Sequence, residues 1–218
     1  MIGDGDTAAA IAAVPAVERL ARRPISGDSL TRSFVRAALR ALEPWRLSRG
    51  DTSHTRESIE TLRAIMHTPG TAPSLERETE IAVIEAMLAT VGRHADLAAK
   101  AIRLDSLLRA TDYSRAHSGR YAVAAVVAAR ALEASGDLPR ALAAARRRHT
   151  WNDVSSPYLA AQLREEGRLA ALTGDREGAI RAYRHYLALR SEPEPPVAAQ
   201  VAAVRAELGR LERETAGQ

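Results

Sequence analysis

The chain has 218 residues, of which 46% are hydrophobic, only 4% aromatic and 45, about a fifth, alanine; alanine favours helices and sheets favour β-branched and aromatic residues, which argues against a sandwich or barrel. The net charge is +4, carried by arginine with Lys100 as the single lysine, and the 27 acidic residues are interspersed with the basic ones, the pattern of a solvated helical surface rather than a one-sided nucleic-acid footprint. Cysteine is absent, which excludes thiol nucleophiles, thiolate metal sites and disulfides, and the longest apolar run, from Tyr121 to Ala129, is half of what a membrane span needs. Apolar residues recur at helical spacing, and they predict ten helices over 7–22, 29–43, 53–67, 74–91, 94–110, 117–135, 138–149, 157–173, 176–190 and 196–214. Asp28, Ser74, Asp137 and Asp175 stand where a side-chain oxygen can cap the following helix. Pro69, Pro73, Pro157 and the group Pro193, Pro195 and Pro196 mark connections, because proline cannot continue a preceding helix. In the last predicted helix Val197, Val201, Val204, Leu208 and Leu211 form an apolar stripe, the pattern of a cap that closes a stack of helices.

An internal rhythm runs through these elements. A Gly-Asp pair followed by alanine occurs at Gly5, Asp6 and Ala10, at Gly136, Asp137 and Ala141, and at Gly174, Asp175 and Ala179; Gly50 with Asp51, and Gly92 with Arg93, stand at similar junctions. Successive glycines are 45, 42, 44 and 38 residues apart. Glycine closes a helix in the left-handed region and aspartate caps the next, so each junction predicts a helix hairpin. In this register Gly5 and Asp6 begin a second helix without its partner, an expectation that the chain is the C-terminal part of a longer protein; the alternative is an N-terminal cap.

Leu163, Glu166, Gly167, Ala170, Ala179 and Tyr183 follow the spacing of a tetratricopeptide repeat, and Ala125, Ala129, Leu132, Ala141 and Ala145 repeat it one hairpin earlier. Residues 121–193 therefore resemble tetratricopeptide repeats, most strongly from Gly174 to Leu189, and look like the longer, irregular repeats of bacterial transcriptional activators and serine/threonine kinases. The resemblance implies an all-α, right-handed α-solenoid of degenerate hairpins, with irregular hairpins over 1–116, two repeats over 117–193 and a capping helix and tail over 194–218. It places Gly167 at the closest approach of two helices and Ala179 at a small position, with Tyr183 filling the groove. It also implies a concave face lined by first helices, with Val126, Arg130 and Glu133, then Ala161, Arg164, Arg168 and Ala171 facing it.

Chemistry beyond binding finds little support. The six histidines, His54, His67, His94, His117, His149 and His185, have no metal-ligand spacing and read as surface or helix-end residues. Glu165 and Glu166 diverge by about 100° on a helix, so they read as solvated or salt-bridging rather than as an acid/base pair. No phosphate loop, nucleophile elbow or kinase signature occurs. Tyr183 and Tyr186 read as core, and Trp151 as an anchor between hairpins or a ligand contact. Arg130, Arg164 and Arg168 would offer planar donors for a carboxylate or phosphate, with Val126 and Ala171 as apolar floor; the alternative is that these arginines pair with neighbouring glutamates. The expectation is a noncatalytic, cytoplasmic protein-interaction or sensory scaffold with a protein or peptide partner of acidic character, no metal, no cofactor and no membrane or nucleic-acid partner. Its rivals are a piece of a kinase or transcriptional regulator, which upstream coding sequence would reveal, and an Arg-rich nucleic-acid binder, which salt-dependent DNA binding would reveal.

Overall fold

A computed structural model describes residues 7–23, 29–67, 74–110, 118–148 and 156–216. These residues are all-α, with ten helices and no strand among them. The Gly5 and Asp6 junction, the Asp28 cap, His117, His149, Trp151, Pro69 and Pro73 lie outside the described residues. Among the described residues, no helix is long and apolar enough to cross a membrane.

The chain divides into two compact units, at Thr111 and Asp112. The first holds α1 (Thr7–Ala21), α2 (Ser29–Ser48), α3 (Thr52–Met66), α4 (Leu75–Gly92) and α5 (Leu97–Ala110). The second holds α6 (Ser118–Ala134), α7 (Leu138–Arg146), α8 (Ser156–Leu172), α9 (Arg176–Leu189) and α10 (Pro195–Ala216), so the C-terminal helix groups with the two hairpins before it. In the first unit α2 packs on α3 and α4 on α5, and the two first helices, α2 and α4, pack on each other; in the second, α6 with α7 and α8 with α9 do the same, with α6 against α8.

The four described junctions have one geometry. Gly50, Gly136 and Gly174 have φ of 75°, 89° and 80°, and at the fourth Arg93 takes φ 48° in place of a glycine. The N–H of the next residue, Asp51, His94, Asp137 or Asp175, donates to the carbonyl of Arg46, Ala89, Leu132 or Ala170 at 2.9–3.0 Å. That bond, spanning the last helical turn, satisfies a carbonyl the helix end would leave open. Asp51, Asp137 and Asp175 then accept from the backbone N–H of His54, Arg140 and Gly178, so one dipeptide ends one helix and starts the next. Ser74 precedes α4 without a side-chain cap; its carbonyl accepts from Arg77 and Glu78 instead.

Three boundaries depart from the sequence expectation. Helix α2 runs through Pro44 to Ser48, past the expected end at 43. The ring removes one backbone donor, but Leu47 is buried beyond it, as Leu42 is before it, and Arg46 donates to Glu43 Oε1 and Ser58 Oγ at 3.0 Å each. Tertiary burial outweighs that single lost bond. Helix α5 starts at Leu97 rather than 94, because His94 is spent closing α4. Helix α7 ends at Arg146 rather than at 149; Arg147 is extended at ψ 113° and Arg148 turns back to donate to the Ala145 carbonyl.

The two units fill their interiors differently. Val35, Leu39, Leu47, Ile59, Leu62, Ile65, Ile81, Ile84 and Leu88 form the core of the first. In the second, alanines such as Ala128, Ala129, Ala144, Ala170 and Ala179 let helices approach closely, and Tyr183 and Tyr186 fill the remaining volume. Tyr186 donates from its hydroxyl to Gln200 Oε1 at 3.1 Å, and Val197, Val201, Val204, Leu208 and Leu211 of α10 are buried. A buried tyrosine with a paired hydroxyl adds apolar area without an unsatisfied polar atom.

Candidate functional site

The first-helix pair α6 and α8 carries the residues expected to face a groove. Arg130 and Glu133 lie one turn apart on α6, and Arg164, Glu165 and Arg168 cover one turn of α8. Arg168 donates to both oxygens of Glu133, through Nη1 to Oε1 at 2.6 Å, and through Nη2 to Glu165 Oε1 at 2.7 Å. Arg130 reaches the same Glu165 oxygen through Nε at 3.4 Å. Glu165 is thus the hub: its side chain is 4% exposed, between two guanidinium groups that are each more than a third exposed.

The electrostatics follow from that geometry. Burial alone would raise the Glu165 carboxyl, but the Arg168 hydrogen bond and the charges of Arg130 and Arg168 outweigh it and hold it below the usual carboxylate range. The Glu133 hydrogen bond, opposed by desolvation and joined by that of Glu165, raises Arg168 further. Beside them Tyr183 is raised by burial and by the nearby Glu207 charge, and it also feels Arg168 and Arg164. Arg164 is half-buried, and Arg130, engaged through Nε, keeps both Nη groups clear of acceptors among the described residues.

Two expectations need correction. Val126 is 1% exposed and Ala161 3%, so both belong to the packed interior and neither forms the floor of an open groove; an alanine-rich helix packs on most of its circumference. Ala171 is half-buried. The arginines are not all free donors awaiting a ligand, since Arg130 and Arg168 already pair with glutamates, the alternative the sequence left open. Glu165 and Glu166 do part company, as their spacing requires: Glu166 turns to Arg148 and Arg146 at the end of α7.

Sequence reasoning missed a second set of charges built on the same plan. Glu85 of α4 and Glu166 of α8 each stand eight residues before the left-handed residue of their junction, Arg93 and Gly174. Glu85 takes Arg63 of α3 at 2.5 Å and Arg103 of α5 at 3.1 Å; Glu166 takes Arg148 and, at 3.4 Å, Arg146. A carboxylate at this position ties a first helix to the second helix of the hairpin before it. The equal offset from the junction was the available signal. Of the described histidines, His54 lies against Asp51 and His67 against the Arg63 carbonyl, and no group of three His, Asp or Glu converges as a metal site among the described residues.

Compared with protein-family models, curated proteins and solved structures, the chain matches none.

Proposed function

We propose that the chain is a noncatalytic protein-interaction scaffold, with hairpins stacked right-handed in the manner of tetratricopeptide repeats, α10 as the cap and the working face on α6 and α8. The partner is a peptide with an acidic side chain or a C-terminal carboxylate. The observation that carries this reading is Arg130 beside the Arg168, Glu133 and Glu165 cluster: Glu165 engages only its Nε, and both of its Nη groups stay clear of acceptors among the described residues. Arg130 contributes a planar Nη pair suited to bidentate anion binding, while Glu165 holds its stem in place. The likeness to repeat regions of bacterial regulators extends the proposal to a regulatory protein of the cytoplasm.

The test is a peptide-library screen of the full chain beside Arg130→Lys and Arg164→Ala. Arg130→Lys keeps a charge for Glu165 but loses the fork, so folding is retained while selectivity changes. Charge-assisted hydrogen bonds contribute about 1.5 to 3 kcal/mol each, so either variant weakens an acidic ligand about tenfold or more. An enriched peptide set without carboxylates, or equal profiles for all three proteins, refutes the reading.

A further inference from the structure

Helix α2 leaves one long face uncovered. Leu30 is 62% and Phe34 45% exposed, Ala37, Ala41 and Ser48 are exposed and Pro44 half-buried; the chain's single phenylalanine thus lies on the surface. These residues recur at steps of four, three, four, three and four, so at 100° per residue they form one stripe, and it contains no charge. The charged residues of α2 lie elsewhere: Arg32 is half-buried about 200° round the helix from Leu30, Arg36 and Arg40 are tied to Glu80 of α4, and Arg46 to Glu43 within the interior.

The repeat register says what such a face is for. In α4 and α8, counting back from the left-handed residue of the junction, the same positions receive the preceding first helix. Glu80, thirteen residues before Arg93, takes Arg36 and Arg40 of α2, and Ile84, nine before it, joins the core with Val35 and Leu39. Glu165, nine residues before Gly174, takes Arg130 of α6, and Arg168, six before it, takes Glu133. On α2 the residues thirteen, nine and six before Gly50 are Ala37, Ala41 and Pro44. The exposed stripe is therefore a helix-accepting face, and it lacks the charges with which α4 and α8 select their neighbours.

An uncharged accepting face wants an uncharged helix face, and α2 itself is one. Its bulky residues, Leu30 and Phe34, sit at one end and its small ones, Ala37 and Ala41, follow. Two such stripes laid antiparallel bring Phe34 against Ala41 of the other copy, Ala41 against Phe34, and Ala37 against Ala37 on the axis, so large fills small on both sides with no like charges opposed. A two-fold axis makes that contact self-complementary and closed. We propose that this chain forms a homodimer in which α2 packs antiparallel on α2 of a second copy through Leu30, Phe34, Ala37 and Ala41.

Light scattering and sedimentation equilibrium on the full chain test it, together with Ala41→Arg, which drives a charge into the Phe34 contact, and Ala37→Cys, a lone thiol in a chain without cysteine. The mass moves with concentration from 23.5 kDa towards twice that value. Ala41→Arg raises the dimer dissociation constant by at least about tenfold, with helical circular dichroism and melting showing the fold intact, because Ala41 is exposed in the monomer; Phe34→Ser serves as the second variant. Under mild oxidation Ala37→Cys cross-links at least about tenfold faster than Ala143→Cys, a control on the exposed face of α7, since the two-fold axis holds both thiols together. A chain monomeric at every concentration, an open polymer, a dimer indifferent to Ala41→Arg and Phe34→Ser, or equal cross-linking rates overturns the proposal.

Discussion

A Cβ built on Gly167 of α8 would stand 2.4 Å from both Cδ1 and Cε1 of the Tyr183 ring of α9. Real Cβ atoms essentially never approach that closely, and Tyr183 is buried, so the ring cannot swing into solvent. The glycine is what allows the two helices of the last hairpin to meet around the tyrosine.

Gly167→Ala therefore sets two effects in opposition. Alanine gains up to about 1 kcal/mol of helix propensity, while overpacking costs about 1 to 3 kcal/mol. We expect a net loss of stability of about 1 kcal/mol or more. Gly209→Ala in α10 is the matched control: its Cβ meets only the mobile end of Arg213, at 3.3 Å, so the propensity gain survives and the variant is stabilised. Urea unfolding of the two variants should give opposite signs; a shared sign would refute the close-approach argument.

Arg93 occupies the left-handed position that Gly50, Gly136 and Gly174 fill at the other junctions. A side chain there costs roughly 1 kcal/mol, partly returned because arginine restricts the unfolded chain more than glycine does. Arg93→Gly should stabilise the first unit by about 0.5 to 1 kcal/mol and Gly136→Ala should destabilise the second by about 1 kcal/mol. Thermal melts that move both variants in one direction would count against this.

The junctions were legible because a left-handed turn and a helix cap each demand a particular residue, and Gly-Asp supplies both at three of the four described sites. What escaped the sequence was set by packing between distant residues. Nothing local says that α2 continues past Pro44; the burial of Leu47 and the Arg46, Glu43 and Ser58 network do. The arginines of α6 and α8 were legible as neighbours on helix faces. Their partners were not, since Arg168 and Glu133 are 35 residues apart and meet only once the two first helices adopt a register. Val126 was misplaced for the same reason: periodicity cannot tell which face of an alanine-rich helix stays open.

Ala179 has no exposed surface, at the position where α9 meets α8. Replacing it with leucine forces extra methylenes into a packed site and should cost about 1 to 3 kcal/mol, whereas Ala143→Leu on the exposed face of α7 should stay within about 0.5 kcal/mol of the parent. Chemical denaturation distinguishes them. Equal effects would mean that the small position of the last hairpin is misassigned.

The Glu165 hub makes a prediction about pH. Its folded-state pKa lies below the unfolded carboxylate value near 4.3, so its contribution to stability is fully present above that value and is lost as pH falls through the folded pKa. Glu165→Gln removes the charge and keeps an acceptor. Breaking a buried ion pair costs about 3 to 5 kcal/mol, but Arg130 and Arg168 are both more than a third exposed and Arg168 keeps Glu133, which brings the expected cost at neutral pH to roughly 1 to 2 kcal/mol. Every other carboxylate is common to the two proteins, so the difference between their unfolding free energies isolates this one. It should be constant from pH 7 down to about pH 5 and shrink as the solution is acidified further. A difference that grows on acidification, or that is unchanged at about pH 3, would mean that the arginines do not hold the Glu165 carboxylate in its charged form.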